Sequence, residues 1–157
     1  MTCPAGKLSE SIRSTECHAC VPGSYCPPGA AATLPCPAKT FSNATDLVTA
    51  SECTVCPAGS SCSTGSIEPT ECSAGTFSHD GAAQCTKCPA GTYQDESGQT
   101  SCKNVYCNTG ETLSASTGNT SPAAGCAACA TGAGAPGCAP ASTGGTGTGT
   151  AIAPVPN

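Results

Sequence analysis

Four cysteines recur in register. Cys17, Cys20, Cys26 and Cys36 return as Cys53, Cys56, Cys62 and Cys72, each 36 residues later. Cys85 and Cys88 open a third copy, 32 residues after Cys53 and Cys56. A repeated cysteine frame confines the chain to tandem small units, each closed by its own cross-link. The unit is plainest at Cys85–Cys102, which reads CTKCPAGTYQDESGQTSC. Long units run Cys3–Cys17, Cys36–Cys53, Cys72–Cys85 and Cys88–Cys102, and short ones run Cys20–Cys26 and Cys56–Cys62. Past Cys102 the register slips: Cys107–Cys126 lacks the proline and the aromatic, and Cys129–Cys138 makes a small last loop.

Cross-links have to replace a core. Leu, Ile, Val and Phe together supply fourteen of 157 residues, and there is no Trp. That is too little apolar surface to offset the entropy of ordering the chain. Sixteen cysteines, an even number, allow complete pairing. The unit boundaries predict sequential bridges: 3–17, 20–26, 36–53, 56–62, 72–85, 88–102, 107–126 and 129–138. A 20–36 bridge with a crossed partner for Cys26 is the rival pairing.

Such a chain belongs in an oxidising compartment, outside the cell or on its surface. No secretory leader precedes Cys3, so we expect the chain to be a mature product or an excerpt of a longer precursor. No stretch has the length of a membrane helix. The net charge is −5, with five cations, which argues against nucleic acid, since that partner needs a basic face.

Within each unit the offsets repeat. Gly stands three residues after Cys at Gly6, Gly23, Gly59, Gly75, Gly91 and Gly110. Cys-Pro-Ala-Gly fits a type I turn with Pro second and Gly fourth, and Lys39 breaks the pattern. Leu8, Tyr25, Phe41, Phe77 and Tyr93 stand five after Cys, and each is expected to cover its own disulfide. His79-Asp80-Gly81 and Ser97-Gly98 mark a second turn. The fold class expected is small and disulfide-rich: elongated tandem cysteine-rich modules with short β-hairpins, mostly irregular, almost without helix. Residues 1–102 form the tandem repeats, 103–138 a degenerate capping unit, and 139–157 an extended Gly/Thr/Pro-rich tail.

Several motifs carry a chemical reading that the context weakens. The Cys-x2-Cys pairs 17/20, 53/56, 85/88 and 126/129 are zinc-like, but consecutive pairs lie farther apart than in zinc ribbons. A redox Cys-x2-Cys needs a βαβ setting that is missing. Gly132-Ala-Gly134-Ala-Pro-Gly137 has the dinucleotide spacing without a strand or helix around it. His79-Asp80 reads as a turn before it reads as part of a triad. Asp95 and Glu96 make too small a set for calcium. No enzyme, cofactor or metal site is therefore expected. Asn43-Ala-Thr45 and Asn119-Thr-Ser121 are N-glycosylation acceptors.

The run Cys85-x2-Cys88-Pro-Ala-Gly-Thr-Tyr93…Gly98…Cys102 resembles the cysteine-rich repeat of ephrin-type receptors and, more loosely, of tumour-necrosis-factor receptors. Alternation with short Cys-x5-Cys units resembles repeat proteins of protist and algal surface coats and flagellar hairs. The resemblance implies an extracellular, disulfide-stapled chain that binds something or packs into a coat. It transfers no active-site residue. Few charges and forty Ser and Thr residues favour a structural protein, a subunit of a glycosylated filament, hair, wall or coat, partnered by its own copies. The alternative is the stalk or ligand-binding module of a receptor or adhesin. For self-association the expected device is the tail 139–157, whose Ala-Ile152-Ala-Pro-Val155-Pro end fits a groove of the next subunit as an extended ligand.

Overall fold

The structure is a computed structural model of the chain, and it describes residues 3–9, 16–108 and 110–129. The tail 139–157, Cys138 and the run Gly132–Gly137 lie outside the described residues.

Each module opens with a turn, and the turn is not the expected one. The amide of Lys7 donates to the Pro4 carbonyl (3.2 Å), Thr40 to Pro37 (3.2 Å), Thr92 to Pro89 (3.1 Å) and Glu111 to Asn108 (3.0 Å). The closing bond thus spans the residues one to four after cysteine. Glycine falls third in the turn, not fourth, with φ of 76° at Gly6 and 78° at Gly91. That is the type II arrangement, whose third position needs positive φ. Glycine is placed for backbone conformation, which a type I reading does not demand. Lys39 holds the same position at φ 80°, a conformation costing a residue with a side chain about 1–2 kcal/mol. A threonine follows at Thr40, Thr76 and Thr92. Its hydroxyl donates back to the carbonyls of Pro37 (2.7 Å), Ser73 (2.6 Å) and Pro89 (2.8 Å).

Out of each turn comes a strand of two or three residues, paired antiparallel with a return strand. The pairs are β1 (Lys7–Leu8) with β2 (His18–Ala19), β3 (Ser24–Tyr25) with β4 (Leu34–Pro35), and β5 (Thr40–Phe41) with β6 (Thr54–Val55). They continue with β7 (Ser60–Ser61) and β8 (Thr70–Glu71), then β9 (Thr76–Phe77) and β10 (Thr86–Lys87). Last come β11 (Thr92–Tyr93) with β12 (Lys103–Asn104), and β13 (Glu111–Leu113) with β14 (Cys126–Ala128). The register is shared by every module except the sixth, where Thr92 faces Asn104, three residues before Cys107. The residue four after the opening cysteine faces the one just before the next module: Lys7 with Ala19, Thr40 with Val55, Thr76 with Lys87. The two residues inside Cys-x2-Cys are therefore a return strand. Helix among the described residues is limited to 3-10 turns at Ala50–Glu52 and Ala123–Gly125.

We number the modules one to seven by their opening cysteines: 3, 20, 36, 56, 72, 88 and 107. The bridges are local: Cys3–Cys17, Cys20–Cys26, Cys36–Cys53, Cys56–Cys62, Cys88–Cys102 and Cys107–Cys126. Cys72, Cys85 and Cys129 are disulfide-bonded as well. No described cysteine is free.

The chain divides into two compact units, Met1–Glu71 with Ser78–Cys85, and Cys72–Phe77 with Thr86–Asn157. Inside the first, successive modules are joined by a backbone ladder. Module one meets module two through four bonds: Cys20 amide to Gly6 carbonyl (3.1 Å), Gly6 amide to Cys26 carbonyl (2.9 Å), Ser9 amide to Ala30 carbonyl (3.3 Å) and Gly29 amide to Cys3 carbonyl (3.0 Å). The same positions bond again between modules three and four: Cys56 to Lys39 (2.9 Å), Lys39 to Cys62 (2.8 Å), Ser42 to Ser66 (3.1 Å) and Gly65 to Cys36 (2.9 Å). Inside the second unit the ladder continues from Gly75 amide to Gln94 carbonyl (2.7 Å), from Gln94 amide to Asn119 carbonyl (3.0 Å), and from Gly118 amide to Cys88 carbonyl (2.7 Å).

The core is sulfur. Cys20, Cys26, Cys36, Cys56, Cys62, Cys72 and Cys88 are fully buried. The expectation that residues five after cysteine cover their own disulfide is corrected at Leu8. This side chain packs on Cys20 and Cys26, the bridge of the next module. The stagger explains why: the turn of one module rests on the following one. Tyr25, Phe41, Phe77 and Tyr93 are half-buried.

Candidate functional site

The sequence offers few side chains for chemistry, and the fold commits most of them to holding the ladder. Each Cys-x2-Cys pair is split between two bridges. Cys17 is bonded to Cys3 while Cys20 is bonded to Cys26, and Cys53 to Cys36 while Cys56 is bonded to Cys62. A sulfur held in a disulfide is no thiolate, so neither zinc ligation nor dithiol exchange within a pair is open to it in this state.

Asp95 and Glu96 meet a cation of their own. Lys103 Nζ lies 2.6 Å from Asp95 Oδ1 and 3.6 Å from Glu96 Oε2. β12 carries this lysine back alongside β11, two residues before Asp95. The lysine bond holds the Asp95 carboxyl below the usual carboxylate range, and the carboxylate in turn raises Lys103. All three are exposed, so the cluster is a solvated ion triad and a weak contributor to stability.

His79 is exposed. Its neighbour Asp80 turns its carboxylate toward module four, where Oδ1 accepts the Ala58 amide (2.9 Å). Ala58 lies in that module's opening turn, so Asp80 pins one module's turn to another. Glu52 acts similarly within module three. Its carboxylate accepts the amides of Val48 and Thr49, and those bonds lower its pKa. Neither role was visible in the sequence, since each depends on where a turn amide points.

The two glycosylation acceptors differ in placement. Asn43, Ala44 and Thr45 are all exposed. Asn119 is buried, 6% accessible, with its side-chain amide donating to the carbonyls of Thr92 (3.2 Å) and Ser116 (3.1 Å). Its Oδ1 accepts the Ser116 hydroxyl (2.8 Å).

In each unit the return strands face outward. Every residue of β2, β4, β6, β8, β10 and β12 is exposed. Among the described residues, the large apolar side chains left in water are Val21, Leu34, Val55 and Ile67 in the first unit and Tyr106 in the second. No described helix is long and apolar enough to cross a membrane.

Residues 75–124 match the family model described as tyrosine-protein kinase ephrin type A/B receptor-like. The matched stretch starts in the opening turn of module five and ends in the 3-10 turn of module seven. A search of the curated proteins finds no match for the chain. The similarity is that of a cysteine-rich repeat of receptor ectodomains, and it covers about a third of the chain.

Proposed function

We propose that the chain is an extracellular structural protein, a subunit of a glycosylated filament, flagellar hair, wall or surface coat of the protist and algal kind. The observation that carries this reading is the backbone ladder. Module bonds to module through main-chain groups at fixed positions, so a series of modules extends without any side chain being reserved for a ligand. Buried polar side chains such as Ser78 and Gln94 are spent on bonds within the protein, as in Ser78 Oγ to the Ser60 carbonyl of module four (2.7 Å) and Gln94 Nε2 to the Ser101 carbonyl of its own module (2.8 Å). Assembly is head-to-tail, with residues 139–157 docking on the next subunit.

A second reading is favoured by the match over residues 75–124: a cysteine-rich stalk or binding module of a surface receptor or adhesin. Sedimentation of the material taken from its source, without reduction, separates the two. A polymer that loses its size when residues 139–157 are removed, with all bridges intact, supports the filament. A monomer at all concentrations supports the stalk.

A further inference from the structure

The sequence holds two acceptor tripeptides of the same formal quality, and the fold treats them oppositely. We infer that Asn43 is the N-glycosylated residue of this chain, and that Asn119 stays unmodified because its amide is a structural part of the joint between modules six and seven.

At module three, Ser42 turns inward, 6% accessible, and the next four residues, Asn43 to Asp46, all face water. Asp46 makes the bend there with φ 62°. The Ala44 amide bonds to Ser42 Oγ (3.2 Å), and the Thr45 hydroxyl lies 3.3 Å from the exposed Asp46 carboxylate. Among the described residues no group holds the Asn43 side chain by a hydrogen bond. A branched sugar on this amide displaces nothing.

At module seven the side chain points the other way. Asn119 Nδ2 gives its hydrogens to two carbonyls, Thr92 in module six and Ser116 in module seven. Its own carbonyl accepts the Gln94 amide (3.0 Å), and it bridges in parallel with Tyr93. The side chain therefore repeats a contact that the main chain already makes across one joint. Glycosylation replaces an Nδ2 hydrogen by a sugar carbon. It would strip at least one of these bonds and force a bulky group into a position that is almost wholly buried, leaving a carbonyl unpaired at about 1–3 kcal/mol.

The step itself is an amide glycosylation. The Asn43 Nδ2–C1 bond forms, the C1–oxygen bond to a lipid-linked oligosaccharyl pyrophosphate breaks, the pyrophosphate leaves with the electron pair, and the amide loses one proton. The inference rests on the extracellular reading for its setting, so the test supplies the secretory route itself.

The chain is fused to a cleavable leader and secreted from a eukaryotic host. Its peptides are mapped after deglycosylation by an amidase in heavy-oxygen water, which converts each occupied Asn to labelled Asp. Label at Asn43 in most molecules and none at Asn119 supports the inference. Label at Asn119 in the secreted, fully bridged protein overturns it, as does an unlabelled Asn43. Asn43→Gln should remove the whole mass difference and leave the urea midpoint unchanged. Asn119→Ala and Asn119→Asp, made in the same host, should lower that midpoint and speed exchange of the Gln94 amide at least tenfold. An Asn119→Ala protein as stable as its parent would overturn the structural half. Because the leader imposes the route, a failure here leaves the native location of the protein untouched.

Discussion

Substituting Gly75 by alanine isolates the force that joins modules two apart. A Cβ on Gly75 would lie 2.4 Å from the Gly118 carbonyl oxygen and 3.0 Å from its carbon. Gly110 is the matched control. It holds the same turn position two modules later, at φ 87° against 81°, and an added Cβ there meets nothing within 4 Å among the described residues. Both variants place alanine in the left-handed region, costing about 1–2 kcal/mol. Both regain about 0.4–1 kcal/mol because alanine narrows the unfolded ensemble. Gly110→Ala should therefore cost roughly 1 kcal/mol. Gly75→Ala must also open its carbonyl contact by about 1 Å to reach ordinary van der Waals distance. The bonds that hold this approach are Gly75 amide to Gln94 carbonyl and Gly118 amide to Cys88 carbonyl, both 2.7 Å. A shift of that size carries them past hydrogen-bonding range, a loss of about 1 kcal/mol each. The total is about 3 kcal/mol, some 2 kcal/mol beyond the control. That difference corresponds to roughly a thirtyfold faster exchange of the residue 75 and Gly118 amides, the donors of those bonds, at constant pH. Urea unfolding with bridges intact, followed by disulfide and tyrosine circular dichroism, gives the global figure. Equal losses in the two variants would refute the argument, because strain alone would then account for both.

Lys39→Gly removes a side chain from the same left-handed position. It should raise stability by roughly 0.5–1 kcal/mol in the same urea assay, after the entropy cost of glycine is subtracted. Replacing Cys20 and Cys26 together by alanine opens a seven-residue loop, costing about 2 kcal/mol of chain entropy. It also unpacks Leu8, so proteolysis should appear first near residues 3–30. The Asp95–Lys103 pair sets a weak pH dependence. The pKa of Asp95 is lowered from 3.8, so its contribution is present above that value and is lost as pH falls through the lowered one. Lys103 is raised from 10.5, so its share is full below that value and is lost as pH rises through the raised one. Asp95→Asn should thus lower the urea midpoint slightly between these limits at low salt, and not at all in molar salt.

The sequence displayed whatever is fixed by a single module. The sequential order of the cysteines, the glycine three after all opening cysteines but Cys36, and the absence of helical periodicity all follow from bridges between cysteines six to nineteen positions apart, each closing a local loop. What lay hidden belongs to the joints. The two residues within Cys-x2-Cys look like a spacer, yet they are the strand that completes each hairpin, since the ladder needs the next cysteine amide at the previous turn. The turn type was misread because glycine is allowed both third and fourth. Only the bond from the residue after it decides. Asn119 looks like any acceptor tripeptide, because nothing local states that a carbonyl from residue 92 will arrive beside it.

One position shows how far chemistry can vary when the joint is made by the main chain. Six residues after the opening cysteine stand Cys26, Ser42, Cys62, Ser78 and Gln94, and all are buried. The carbonyl of each accepts the turn amide of the preceding module: Gly6, Gly23, Lys39, Gly59 and Gly75, at 2.7 to 3.0 Å. In short modules this position supplies the second half of the bridge. In long modules the bridge closes later and the position is free to carry a polar side chain, bonded within its module at Gln94 and to the preceding module's Ser60 carbonyl at Ser78. The cysteine is therefore not what the ladder recognises. Val105 makes the same point at the slipped register. It is buried, 3% accessible, and its amide donates to the Gly91 carbonyl (2.9 Å), as Cys20, Cys36, Cys56 and Cys88 do to the turns before them. A valine thus takes over the place of an opening cysteine, Cys107 follows two residues later, and the hairpin register is unchanged. Bridges tie each module to itself and main-chain bonds tie it to the next, so a cysteine can shift by two residues without breaking the series.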